Sequence, residues 1–189
     1  AGFLANSMAL VADAGHNFGD VLGLLMAWGA STLAKRRPTP RFTYGFGSST
    51  ILAALANAVL LLVAVGAIVL EAIQRLIEPA PVAAGMMIVV AAVGIAINGF
   101  TAWLFFSGSE RDVNIRGAYL HMMADAGVSV GVVIAGVAVM LTAWNWVDPV
   151  VSLIIAVVIV WSTWGLLQDS IRLAMQGVPI AIDATRVET

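Results

Sequence analysis

Five apolar runs dominate this chain, at about 8–34, 44–77, 82–106, 114–141 and 147–175, with only short polar stretches between them. Each meets or exceeds the ~20 residues that an α-helix needs to cross the hydrocarbon of a bilayer. A soluble bundle could bury one face of such helices, but its outer faces would be polar, and these are not. The 61% hydrophobic and 11% charged composition agrees, since a soluble domain is roughly 45–50% apolar. The fold class expected is therefore an all-α membrane protein, a helical bundle lodged in the lipid bilayer. In that setting a net charge of −2 gives no reason to look for a nucleic-acid partner. The chain has no cysteine, which removes disulfides, iron–sulfur clusters and thiolate metal sites.

The polar stretches give the boundaries and the orientation. Lys35-Arg36-Arg37-Pro38-Thr39-Pro40-Arg41 is a basic turn that two prolines keep from being helical. Glu78-Pro79-Ala80-Pro81, Ser107 to Asp112 and Trp144-Asn145-Trp146 close the later runs, the tryptophans reading as interface anchors. If the spans alternate, Lys35, Arg36, Arg37, Arg41, Arg111, Arg116, Arg172 and Arg186 share one side, and Arg75 alone, near Glu71 and Glu78, lies on the other. The basic side is then cytoplasmic. Residues 1–7 read as a loop or the tail of a helix lost from the start, and 176–189 as the beginning of a cytoplasmic domain beyond the transmembrane domain of residues 1–175.

Within the first and fourth runs lie the residues that an apolar span has least reason to hold. The chain has two histidines, and each stands four residues before an aspartate: His16 with Asp20, His121 with Asp125. Four residues along an α-helix advance a side chain by about 40° and about 6 Å, so each pair shares a face. If the two faces meet, four N/O ligands converge, the number a tetrahedral zinc site requires. Two carboxylates and two neutral imidazoles balance a +2 ion, whereas a charge left alone in hydrocarbon costs roughly 2.5–3.5 kcal/mol. Asp13, on the same stripe as His16, reads as a helix-start or relay residue ahead of a ligand. Asn17, Asn57, Asn98 and Ser129 orient ligands or join helices, and Gly127 with Gly131 reads as close packing against a neighbouring helix, with a dimer seam as the alternative.

The text around these residues resembles the cation diffusion facilitator family of zinc-exporting membrane proteins. The likeness runs through Gly2-Phe3-Leu4-Ala5-Asn6-Ser7, Leu10-Val11-Ala12-Asp13-Ala14-Gly15-His16-Asn17-Phe18-Gly19-Asp20, Tyr44-Gly45-Phe46-Gly47, Arg116 to Asp125, and Asp148-Pro149. It implies a six-helix transmembrane domain, of which five complete spans are here, followed by a cytoplasmic domain. It also implies a homodimer that exchanges Zn²⁺ for protons, with His16, Asp20, His121 and Asp125 as the metal ligands. The His/Asp version is similar to the zinc-preferring branch, while ligand type and geometry alone leave Cd²⁺, Co²⁺, Ni²⁺ and Fe²⁺ open as alternative cargo. Ser48-Ser49-Thr50 and Met175-Gln176-Gly177 depart from the family, which carries charged residues there that interlock its dimers.

Function follows as proton-coupled efflux of a divalent metal ion by alternating access, in a multi-pass protein of the bacterial inner membrane. Metal binding displaces protons from imidazoles, whose ordinary pKa is about 6.5. The rival readings are an intramembrane metalloenzyme and a metal-binding scaffold without transport. No His-Glu-x-x-His motif supports the enzyme.

Overall fold

The computed structural model describes residues 2–43, 45–110 and 112–176. Its helices are α1 (Gly2–Ala5), α2 (Met8–Ala34), α3 (Ser49–Ile77), α4 (Ala84–Ser109), α5 (Val113–Thr142) and α6 (Val147–Ala174). Among the described residues the extended structure is one isolated bridge between Thr39 and Phe42. The protein is all-α, as its apolar runs require. Helices α3 to α6 are long and apolar enough to cross a membrane. The 27-residue α2 has the length, but Asp13, His16, Asn17 and Asp20 make it less apolar than the others.

Helix ends depart from the apolar runs for local reasons. The second run starts near Tyr44, which lies outside the described residues, whereas α3 begins only at Ser49. Gly45 holds φ at +69°, a conformation open to glycine and closed to a helix, and its N–H donates to the Phe42 carbonyl at 2.9 Å. Helix α4 runs past Phe106 to Ser109, because the bare Gly108 lets Ile115 of α5 approach: a Cβ there would sit 3.1 Å from it. Residues 2–5, expected as loop or helix tail, form one helical turn. Arg111 and the polar tail 177–189 lie outside the described residues.

Of the described residues, those up to Ala14 together with 66–157 form one compact unit, and 15–65 together with 158–176 form another. In the first unit, α4 and α5 pack as an antiparallel hairpin. Asp112 begins α5, its Oδ1 accepting from the Asn114 and Ile115 amides at 2.7 and 3.3 Å. Small residues set the register. A Cβ on Gly94 would come 3.0 Å from Ser129 Oγ, and one on Gly136 would come 2.8 Å from Ile88. Met87, Ala91, Asn98 and Ala102 form the buried stripe of α4, while Val89, Val93, Ile97, Phe100 and Leu104 point outward. Large apolar side chains outside, with small and polar ones inside, suit a protein whose solvent is hydrocarbon and whose helices are joined by packing.

One end of this unit is tied by hydrogen bonds. Arg75 holds Glu71 at 3.0 Å and donates through Nη1 to the Asn6 carbonyl at 2.7 Å. Asn6 donates in turn to the Pro81 carbonyl at 2.8 Å. Beside them Trp144 and Trp146 stack at 5.6 Å, half-exposed as interface anchors would be.

In the second unit α2 and α3 lie close together. A Cβ on Gly19 would overlap Leu61, and one on Gly23 would come 2.6 Å from Asn57 Nδ2. Gly15, Gly19 and Gly23 therefore form a stripe of every fourth residue, and Gly15 and Gly19 line a cavity of about 210 Å³ with Phe18, Asn57 and Leu61. Ser49, where the family likeness implies a charged residue nearby, donates to the Ala30 carbonyl at 2.8 Å.

Candidate functional site

The stretch of α2 that carries His16 and Asp20 starts from a helix end in which side chains satisfy the amides. The first amides of an α-helix have no intrahelical acceptor and present partial positive charge. Ser7 precedes the helix and its Oγ accepts from the Leu10 amide at 3.2 Å, the usual N-cap bond. Asp148, from the first turn of α6, supplies the rest. Its Oδ2 accepts from the Met8 amide at 2.6 Å, and its Oδ1 from Ser7 Oγ at 2.5 Å and the Ala9 amide at 3.2 Å. Asp148 is fully buried. Asp-Pro at the head of the last span was legible only as part of the family likeness; its contact with α2 had no sequence signal.

Asp13 therefore does not start the helix. It sits in the second turn, buried, and accepts from Ser129 Oγ of α5 at 3.4 Å. Ser129, itself fully buried, is one turn beyond Asp125, so this bond joins the two helices that carry the His/Asp pairs.

Both pairs close within their own helices. In α2, His16 Nε2 lies 3.7 Å from Asp20 Oδ2; in α5, His121 Nε2 lies 3.5 Å from Asp125 Oδ2. The i,i+4 spacing thus does place one imidazole and one carboxylate on a common face in each case, two ligands of the kind zinc accepts. The first pair belongs to the second compact unit and the second pair to the first. Burial differs between them. The side chains of His16 and Asp20 are 15% and 28% exposed, while those of His121 and Asp125 are 44% and 3% exposed.

Gly127 and Gly131 correct an expectation. Among the described residues a Cβ at either would meet nothing within 4 Å, so the pair is not a close-packing seam within this protomer; Gly19 and Gly23 play that part for α2. Their four-residue spacing was visible in the sequence, hidden among the polar residues of the same segment.

Residues 1–174 match the family described as the cation efflux transmembrane domain. The chain is 40% identical over 188 residues to the zinc transporter ZitB of Escherichia coli (strain K12), a match covering 99% of this chain and 60% of ZitB. It is 37% identical over 188 residues to the cadmium, cobalt and zinc/H(+)-K(+) antiporter of Bacillus subtilis (strain 168), covering 98% of this chain and 60% of that protein. With the cation efflux system protein CzcD of Alcaligenes sp. (strain CT14) the identity is 35% over 187 residues, covering 99% and 59%. The chain spans about 60% of the length of these curated relatives. Its apolar helices and bacterial relatives make it a multi-pass inner-membrane protein. With a profile match that takes in every helix from α1 to α6, the chain belongs to the cation efflux family, whose transmembrane domain it carries.

Proposed function

We propose that this chain is the metal-carrying transmembrane domain of a proton-coupled exporter of divalent cations, zinc foremost, in which His16, Asp20, His121 and Asp125 share one tetrahedral ion. The observation that carries the reading is the bond from Ser129 to Asp13. Asp13 lies just before His16, and Ser129 lies one turn after Asp125. If the spans alternate across the bilayer, α2 and α5 run in opposite senses, and from that bond α2 would offer His16 and then Asp20 where α5 would offer Asp125 and then His121. The charge argument supports the same set, since two carboxylates and two neutral imidazoles balance a divalent ion. The names of the relatives, which include zinc, cadmium and cobalt transporters and an antiporter, favour zinc with those metals as alternative cargo.

Ligands must be deprotonated to hold the metal, so loading the ion from the cytoplasm expels protons and protonation on the opposite side expels the ion. Because the ligands come from two helices, a change in their separation opens or closes the site, which couples the ion to alternating access. The transporter works as a homodimer in the lipid bilayer. The test is zinc flux in proteoliposomes of the full-length protein. Asp125→Ala is expected to insert and fold but to carry no zinc; flux at the parent rate would refute the assignment.

A further inference from the structure

Asp148 is not one of the four proposed ligands, yet its carboxylate is the most completely enclosed acidic group among the described residues. A carboxylate at the membrane interface would ordinarily face water or a cation. This one faces the N-terminus of another helix and accepts from Ser7 Oγ and from the Met8 and Ala9 amides. Helix dipole and carboxylate are matched in sign. Pro149 follows in the first turn of α6, where its missing N–H costs no hydrogen bond. With Ser7 serving Leu10, the amides of Met8, Ala9 and Leu10 all have side-chain acceptors. The first intrahelical bond, from the Val11 amide to the Ser7 carbonyl at 3.2 Å, follows directly.

We infer that Asp148 is a positioning residue for transport: it clamps the first turn of α2 to the first turn of α6 and so fixes the height and rotation of the helix that presents Asp13, His16 and Asp20. This rests on the proposed metal site. An α-helix transmits such a constraint because its residues advance by a set rise and angle, and His16 lies about 12 Å along the axis from Met8. Released from the clamp, α2 has more orientations to lose when its ligands close on an ion. The cost therefore falls on metal capture. A second acceptor in α6 could not substitute without moving the helix, since both carboxylate oxygens are engaged.

The test is zinc flux as a function of zinc concentration, in the full-length protein reconstituted in vesicles. Asp148→Asn keeps the shape but turns one arm from acceptor to donor against the α2 amides. It should raise the zinc concentration for half-maximal flux by about tenfold, the lower end of what outer partners of metal ligands contribute. The maximal rate per folded protomer should stay within about twofold of the parent. Ser7→Ala removes the bond to Asp148 and the cap on the Leu10 amide but leaves the bonds from the Met8 and Ala9 amides to Asp148, and should raise the half-maximal concentration by about threefold. It keeps the inference falsifiable if Asp148→Asn does not fold. A role confined to folding would lower the yield and the maximal flux and leave the half-maximal concentration in place. That result, in folded Asp148→Asn or in Ser7→Ala, overturns the inference. His16→Ala, measured beside them, separates the two layers. Parent-like flux in that variant refutes the metal site and the clamp together, whereas its inactivity beside an Asp148→Asn of unchanged zinc dependence refutes the clamp alone.

Discussion

The two helices that carry a His/Asp pair repeat one pattern and support it differently. In α2 the imidazole is the more enclosed member of the pair, the helix end is clamped by Ser7 and Asp148, and a glycine stripe brings α3 against its flank. In α5 the carboxylate is enclosed and the imidazole is nearly half exposed, and a Cβ on Gly127 or Gly131 would meet nothing within 4 Å among the described residues. Identical spacing therefore does not make equivalent half-sites. Asp125 is the enclosed member of its pair and His121 the open one, whereas His16 and Asp20 stand on a helix whose first turn is bonded to Asp148 of α6.

Replacing ligands tests that asymmetry most strongly. His16→Ala and Asp125→Ala, at enclosed positions, should reduce zinc flux in proteoliposomes to background. His121→Ala should retain measurable flux, because water can reach the vacated position and complete the coordination. Equal loss in all three variants would break the comparison. Next come the helix flanks. Gly19→Leu forces a side chain into Leu61 and should lower the stability of the purified protein by about 1–3 kcal/mol, read from thermal unfolding in detergent. The matched change on α5, Gly127→Ala, has open space and should stabilise by up to about 1 kcal/mol through helix propensity. If Gly127→Ala destabilises as much as Gly19→Leu, a partner covers that face of α5 in the membrane. The smallest effect is expected at the bond between the helices. Ser129→Ala should cost about 0.6 kcal/mol, the mean for a hydrogen bond between membrane helices, and raise the zinc concentration for half-maximal flux no more than about threefold. A larger shift would mean that Ser129 orients Asp125 as well as joining α2 to α5.

Most of the architecture was legible because length and apolarity decide it. The runs at 82–106, 114–141 and 147–175 correspond to α4, α5 and α6 with ends moved by a few residues at most. Where boundaries moved further, the cause was backbone chemistry that hydropathy ignores, as with Gly45 at positive φ before α3. The His-x-x-x-Asp pairs were legible because an imidazole and a carboxylate in an apolar run stand out, and helical spacing puts them on one face. The partners of the α2 terminus were not. Ser7 and Asp148 are 141 positions apart, and an aspartate at the head of a helix ordinarily serves its own first turn. The helix-start reading of Asp13 failed for the same reason: its partner, Ser129, comes from another helix. The glycines of α5 stood out as a small pair, yet spacing alone does not say whether a neighbour is present.

The central claim is that both pairs hold one and the same ion, and counting zinc tests it most directly. Bound zinc per protomer would be measured at equilibrium in the full-length parent, in His16→Ala/Asp20→Ala, in His121→Ala/Asp125→Ala, and in the variant with all four changes. A shared site predicts that each double variant lacks one ion relative to the parent and that the fourfold variant lacks no more than one. Loss of a second ion in the fourfold variant would show that each helix binds its own metal, and the shared site would be contradicted.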